Sequence, residues 1–366
     1  MRRCSLMAPA SAVIKAIAIQ RAELSVCAMA SSFLQSDFWG AFKARFGWEA
    51  LAFNVEWEGG AFESFAASLL VLRRSLAAGF SLAYIPWGPQ LPPDFPADDK
   101  LRTGALKELS LSLKAHLPAD TAFIRFDPPW YSEGAASPPP LQSPFVRAGA
   151  DIQAPDTVLV CLNQPMEAVM AQMKPKWRYN SRLALKKGVT IRRAGEEEAG
   201  VFYSLLKETA VRDGIAIHDI EYYKTLLANN NGIDTRLYLA EHEGDTLAGI
   251  VTLFRGRDAV YLYGASSGKK RSLMAPYALQ VKALEDAKAA GCADYDFFGI
   301  PPNDDPAHPM AGLYLFKTGF GGRIIHRPGS WDFPCRPLVY RLFRSAECLR
   351  KALRDLRKRR PRTIRP

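Results

Sequence analysis

Two stretches of the chain match one another in order and spacing: "SLAYIPWGP", a helical run and "FIRFDP" in the first half, then "AVYLYGASS", a helical run and "YDFFGI" in the second. In each, an apolar strand ends in a loop of small or turn-forming residues. A helix follows, around 101–117 in the first and 275–290 in the second, and a short apolar strand closes the unit. This repetition predicts a duplicated α/β module. The length of 366 residues suits two domains of ordinary size, each able to bury its own core. No apolar run approaches the roughly 18 residues a membrane span needs, so the chain is not expected to cross a bilayer.

Around the modules the pattern is mostly strand-like. "LAFNVEWEG" and "ASLLVLRRS" precede the first, and "TVLVCLN", "GVTIRRA", "TRLYLAEHEG" and "TLAGIVTLFRG" precede the second, with helices near 196–211 and 219–228 between them. The segment 132–155, rich in Ser, Pro, Gly and Ala, reads as a loop. The expected division is a first domain over 31–150, completed by 325–366, and a second over 151–324. At the N-terminus, Lys15, Arg21 and Glu23 interrupt what a secretory signal would keep apolar. Residues 1–30 are therefore expected to be an unordered extension, with Met29 a candidate for the true start. The six cysteines show no C-x-x-C pair and no histidine at ligand spacing, so they read as small apolar residues in a reducing compartment, and no metal site is expected.

Positive charge is concentrated in two places. "MKPKWRYNSRLALKKG" (173–188) carries six Lys and Arg, with Pro175 suited to a first helical turn and Gly188 to a C-terminal cap. At 100° per residue, Lys174, Arg178, Arg182 and Lys186 fall on one stripe about 120° wide. Lys174 and Lys176 sit at the positive end of the helix dipole, an unfavourable place that a bound phosphate would reverse. From Arg341 to Pro366 there are eleven Lys and Arg against two acids, a net +9 out of +11 for the whole chain. Periodic aliphatics there predict an amphipathic basic helix, either a solvated surface or a contact for an RNA backbone or an anionic membrane.

Two further clusters stand out. In "RDGIAIHDIEYY", His218 and Tyr222 have the i, i+4 spacing that helical geometry turns to one face. A lone histidine is usually structural. In "GLYLFKTGFGG", Phe316 and Lys317 precede a bend containing Gly319, Gly321 and Gly322, and a lysine so placed can stabilise an oxyanion or bind a phosphate.

A strand, a small-residue loop, a helix and a short strand form the core of an acyltransferase half of the N-acetyltransferase (GNAT) type. Such a half cradles the coenzyme A pyrophosphate on a glycine-containing helix start. The corresponding "GKKRSLMAPYAL" has Ala275 and Pro276 where glycine would be needed, which disfavours acetyl-CoA.

Taken in order, the clusters resemble the FemABX family of peptidoglycan interpeptide-bridge aminoacyltransferases. The matching pieces are "LQSDFWGAFKARFGW", "FIRFDP", "KPKWRYNSRLALKKGV", "RDGIAIHDIEYY", "YLYGASS" with "APYALQ", "YDFFGI" and "GLYLFKTGFGG" with "GSWD", over roughly 33–332. The resemblance implies an α/β fold of two GNAT-like (acyl-CoA N-acyltransferase-like) domains facing a cleft, with no inserted coiled-coil arm, for which the chain has no room. It implies transfer of an amino acid from aminoacyl-tRNA to the stem peptide of lipid II or UDP-MurNAc-pentapeptide, without a cofactor.

On this resemblance Lys43, His218, Tyr222 and Tyr263 bind the acceptor, with Lys43 on its diphosphate. Phe316 and Lys317 lie beside the reacting centre, where Lys317 stabilises the oxyanion or the tRNA ester, and Asp127 orients the amine or takes its proton. Where a compact member carries an arginine four residues before the tyrosine, this chain has His218, so phosphate binding there would depend on pH. Lys174, Lys176, Arg178, Arg182 and Lys186 become contacts for the tRNA acceptor stem. The expected protein is a cytoplasmic monomer, and its basic tail is a candidate contact for the tRNA acceptor stem or for the inner face of the membrane. The rival readings are an acyl-CoA N-acyltransferase on the same fold and a non-catalytic RNA- or membrane-binding relative.

Overall fold

In the computed structural model, which describes residues 15–59, 62–133, 138–228 and 232–359, each matched stretch is a pair of parallel strands joined by a helix. The first pair is β4 (Ser81–Ile85) and β5 (Thr121–Phe126), joined by α2 (Asp99–Lys114). The second is β12 (Asp258–Ser266) and β13 (Asp294–Asp296), joined by α7 (Ala275–Ala289), with elements numbered along the chain. The chain divides into two units, one ending at Trp130 and resuming at Pro139–Gln153 and from Pro328, the other holding Tyr131–Pro138 and Ala154–Arg327.

The first unit is a seven-stranded sheet, β1-β2-β3-β4-β5-β15-β7. Its other members are β1 (Lys15–Ala22), β2 (Glu49–Gly59), β3 (Phe62–Ser75), β7 (Val146–Arg147) and β15 (Trp331–Pro334). β2 shows the period of two that makes such a sheet one-sided: Leu51, Phe53, Val55 and Trp57 are buried, whereas Asn54, Glu56 and Glu58 are exposed. The inward set meets Leu106, Leu109 and Leu113 of α2. That helix begins where the Asp98 side chain accepts from the Leu101 N–H at 2.8 Å. The helices α1 (Asp37–Ala44), capped by Ser36, and α9 (Pro337–Arg359) complete the unit.

Residues 15–30 correct the expectation of an unordered extension. Lys15–Ala22 pairs antiparallel with β2, setting Ile19 opposite Val55, and the 3₁₀ turn Leu24–Met29 buries Cys27. Of the charges that break an apolar signal core, Lys15 and Arg21 lie on an edge strand, where Arg21 is exposed over the Phe53 ring while Ile19 is buried, and Glu23 follows the strand. A start at Met29 would remove this strand. Residues 1–14 lie outside the described residues.

The second unit is an eight-stranded sheet, β6-β14-β8-β13-β12-β11-β10-β9. It contains β6 (Ser132–Glu133), β8 (Asp156–Cys161), β9 (Thr190–Ala194), β10 (Asp234–His242), β11 (Asp245–Arg255) and β14 (Arg323–His326). Its helices are α3 (Met166–Gln172), α4 (Pro175–Lys186), α5 (Ala199–Asp213), α6 (Ile220–Ala228), α7 and α8 (Ala311–Thr318), and none described exceeds 15 residues. Leu279, Ala283 and Leu284 of α7 pack with Ile250, Phe254 and Tyr261 on one face of the sheet. On the other, Phe202 and Leu205 of α5 close over Gly249, where a Cβ would meet the Phe202 ring at 2.9 Å.

The segment 132–155, read as loop, contributes one two-residue strand to each sheet, β6 and β7. Besides the excursion of 131–138 into the second unit, the crossings between units fall at 153/154 and 327/328 rather than 150/151 and 324/325. β14 stays with the second unit because Arg323–His326 pairs along β8.

Candidate functional site

Lys317 lies in the last turn of α8, 7% exposed, with Nζ donating to the carbonyls of Phe298 and Gly299 at 2.9 Å each. The loop after β13 is shaped to receive it. Phe298 adopts the left-handed region (φ 53°), uncommon for a residue with a Cβ, and its N–H donates to Asp296 Oδ1 at 2.7 Å. The Thr157 hydroxyl donates to the same oxygen. Nζ stands 5.1 Å from the centre of the Tyr261 ring. Burial pulls Lys317 down to about 7, against a weaker upward pull from Asp296. Near neutral pH this lysine therefore exchanges between a cation and a neutral donor.

Phe316 ties this turn to the basic helix. Its carbonyl accepts from Trp177 Nε1 at 2.8 Å, and its ring meets Tyr277 and Phe320 edge to face at 5.4 and 5.2 Å. The Lys174 N–H donates to the Gly319 carbonyl at 2.9 Å. A Cβ on Gly319 would lie 2.1 Å from the Trp177 ring, so the approach of α4 to α8 requires glycine there.

α4 buries Asn180, Ser181 and Ala184 and turns the opposite side to water. Lys174, Lys176, Arg182 and Lys186 are exposed, and none forms an ion pair among the described residues. Tyr179, 62% exposed, lies to one side of the stripe, about 20° beyond Lys186, an aromatic ring beside cations. Arg178 departs from the rest of the stripe. Its guanidinium turns back to donate to the carbonyls of Ala171 and Met173 at 3.0 and 2.5 Å, satisfying the C-terminal end of α3.

His218 precedes α6 rather than lying within it, yet its ring stacks on Tyr222 at 3.8 Å and 11°. The Tyr263 hydroxyl donates to that of Tyr222 at 3.3 Å. Burial raises Tyr222 to about 12 and Tyr263 well above its ordinary value, so both hydroxyls stay protonated. A bulge in β12 decides where these tyrosines point. Tyr261 faces Thr252 across the strand pair and Tyr263 faces Val251, so Leu262 is the extra residue. The bulge sends Tyr261 to the α7 face with Lys317 and Tyr263 to the α5–α6 face with Tyr222. β12 thereby links the two clusters.

In the first unit Lys43 lies 5.4 Å from the Trp39 ring and 5.9 Å from the Trp48 ring, and Arg74 lies 5.3 Å from the same Trp48 ring. Burial, then the neighbouring Arg74 charge, lowers Lys43 to about 8. Trp48 in turn stands 5.9 Å from the Tyr84 ring. Tyr84 donates its hydroxyl to Asp127, which also accepts from the Ser330 hydroxyl and, at 3.3 Å, from the Gln153 N–H. Asp127 is 3% exposed, and burial lifts it to about 6 despite those donors. Its carboxylate fixes the end of β5 against the start of β15.

At the loop before α7, Lys269 and Lys270 are held by Asp245 at 3.0 and 3.1 Å, and Lys270 also by Glu243 at 3.0 Å. Sequence reasoning did not single out Asp296, Trp177, Trp48, Arg74 or Tyr261. Of these, Trp177 carried a signal: a large aromatic inside an otherwise basic helix needs a partner to cover it.

The two sheets, each with a parallel strand pair bridged by a helix, define a tandem GNAT-like acyltransferase fold. The sequence profile of the FemAB family matches residues 142–246 and 233–348, more than half of the chain, and the protein belongs to that family. It is 24% identical over 253 residues to the lipid II:glycine glycyltransferase of Staphylococcus epidermidis, covering 52% of this chain and 61% of that protein. The Staphylococcus aureus protein of the same name is 23% identical over 258 residues, with the same coverage. The chain thus spans about three fifths of the length of these relatives. The crystal structure of FemX is similar in fold, with a TM-score of 0.70 at 20% identity over 89% of this chain and 99% of that one.

Proposed function

We propose that the protein is a tRNA-dependent aminoacyltransferase that adds an amino acid to the stem peptide of a peptidoglycan precursor, lipid II or UDP-MurNAc-pentapeptide. The observation that carries this reading is FemAB membership, with relatives named for glycine transfer to lipid II. An aminoacyl ester is already activated, so catalysis consists of positioning a neutral amine and stabilising the tetrahedral oxyanion. The amine lone pair attacks the ester carbonyl, and the ribose hydroxyl leaves with a proton that the amine gives up.

In this reading Lys317, held by two carbonyls and charged below about pH 7, stabilises the oxyanion or the tRNA ester, and Phe316 walls the reacting centre. Asp127 acts through Tyr84 and Ser330, which it holds, as a positioning residue. Lys43, joined by Arg74, takes the acceptor's diphosphate, and His218, Tyr222 and Tyr263 hold the muropeptide side. Lys174, Lys176, Arg182 and Lys186 contact tRNA phosphates, with Tyr179 available to stack. Arg178 supports that face from behind by binding the end of α3. The site works at the cytoplasmic face of the membrane, as a monomer. The test is to incubate the protein with a charged tRNA pool and lipid II or UDP-MurNAc-pentapeptide and weigh the stem peptide. A gain of one or more aminoacyl residues that is abolished by ribonuclease is expected, and no gain with any donor overturns the reading.

A further inference from the structure

The helix α9 exposes leucine where a docked helix should expose polar groups. Leu338, Leu342, Leu349 and Leu353 are 74%, 72%, 62% and 48% exposed. Spaced i, i+4, i+11 and i+15, they occupy a single stripe about 60° wide. The helix is anchored by a different side. The Tyr340 hydroxyl donates to Asp332 at 3.0 Å, and the Tyr340 and Phe343 rings pack on Phe123 at 5.2 and 5.0 Å. The leucine stripe therefore points away from the protein's own core. Arg341 and Arg350, both exposed, flank it by about 60° on either side.

We infer that α9 is an interfacial membrane helix, which inserts this leucine stripe among the acyl chains of an anionic bilayer while its flanking arginines meet the lipid phosphates. The charge of the segment selects the occupant. With a net +9 from Arg341 onward, a second copy of the same face would be repelled. An RNA backbone would satisfy the cations and leave four exposed leucines in water. An anionic lipid surface matches both features, the pattern of a helix lying in the interface plane. No helix among the described residues is long and apolar enough to cross a membrane, in keeping with a surface mode of binding. The inference deepens the proposed function, because it would hold the enzyme at the surface that carries a lipid-linked acceptor.

The experiment is co-sedimentation of the full chain with vesicles of equal parts phosphatidylglycerol and phosphatidylcholine, or of phosphatidylcholine alone, neither containing any acceptor. The wild-type protein should pellet with the anionic vesicles. The Leu342→Glu, Leu349→Glu double variant should bind at least tenfold more weakly, with its thermal melt unchanged because both side chains are already exposed. Arg341→Ser with Arg350→Ser should weaken binding to the anionic vesicles only. Absence of binding by the wild type overturns the inference, as does full retention of binding by the double leucine variant, which would assign the contact to charge alone. So does loss of a dimer or of a tRNA complex, in place of vesicle binding, when charge is introduced at Leu342 and Leu349. Transfer to soluble UDP-MurNAc-pentapeptide should be equal for the wild type and the double leucine variant, so failure of the membrane contact and failure of the catalytic reading give different results.

Discussion

Each unit ends its parallel strand pair in a buried carboxylate, but only the second brings a lysine up to it. After β5, Asp127 accepts from Tyr84 and from Ser330, which leads into the antiparallel neighbour β15. At the end of β13, Asp296 accepts from Thr157 on the antiparallel neighbour β8. The first carboxylate accepts from neutral donors, the nearby Arg125 being paired to Asp332, and is lifted to about 6 by burial. The second partly offsets the burial that brings Lys317 down to about 7. The first unit's own depressed lysine, Lys43 at about 8, sits on α1 among tryptophans. One scaffold used twice thus places its titrating lysine differently. In the second unit it is locked to backbone carbonyls, and in the first it lies half-buried beside a second cation.

The largest effect that can separate the units concerns stability. Arg125 and Asp332 of the first unit form a buried two-pronged pair at 2.7 and 2.9 Å, and Tyr340 of α9 binds the same carboxylate. Asp332→Ala strands a buried guanidinium, and the expected loss is about 3–5 kcal/mol, measured by denaturant unfolding. A loss within 1 kcal/mol would mean that the pair behaves as a surface contact and that α9 is held by its aromatic rings alone.

Next comes Lys317→Met. The substitution keeps the volume and removes a buried amine, so the fold should persist while kcat falls about 10²–10³-fold, the range for losing one oxyanion donor. Lys43→Met should instead raise the acceptor KM with little change in kcat. Equal effects of the two on both constants would erase the distinction between a lysine at the chemistry and one at the phosphates.

The pH profile sharpens the same contrast. Both lysines are lowered by burial, so each is a cation only below its folded value. kcat should decline as pH rises through about 7, and acceptor affinity as pH rises through about 8, with the first limb absent in Lys317→Met. Stability moves the opposite way. The unfolded chain holds the Lys317 proton up to its ordinary 10.5 while the folded one releases it near 7, so this group's contribution makes the protein more stable as pH climbs between those values. Thermal melts of wild type and Lys317→Met should converge toward pH 10, and a parallel pair of curves would show that the amine is not buried in solution.

Much of this arrangement could be read from sequence, and the misses have local causes. The two strand–helix–strand modules were legible because each combines a strand pattern, a turn and a helix, three signals that agree. β1 is harder to read, because "KAIAIQRA" has the pattern of an apolar run broken by charge as much as that of an edge strand. Arg178 fell on the right helical stripe, but angular position does not reveal a backbone carbonyl within reach, and the end of α3 captured it. The glycine-rich neighbourhood of Lys317 is visible in the sequence. The depth and partners of the lysine depend on the left-handed Phe298, which no residue type announces. The separation of Tyr261 from Tyr263 rests on one bulge, and a period of two predicts a shared face for them.

That bulge carries the smallest effect and the finest test. Tyr263→Phe deletes only the hydroxyl that reaches Tyr222 at 3.3 Å, with the ring and its edge-to-face contact to Tyr223 at 5.3 Å retained. A neutral hydrogen bond of this length contributes about 0.5–1.5 kcal/mol, so the melt should fall by only a few degrees. If the α5–α6 face of β12 receives the acceptor, its KM should rise severalfold with kcat nearly constant. Tyr261→Leu, on the face occupied by Lys317, should leave KM alone and displace the pH at which kcat declines, because it removes the ring that lies against the Lys317 ammonium. The reverse assignment of these two variants would show that β12 presents its tyrosines in the regular register, and the division of labour between the two faces of the second sheet would have to be redrawn.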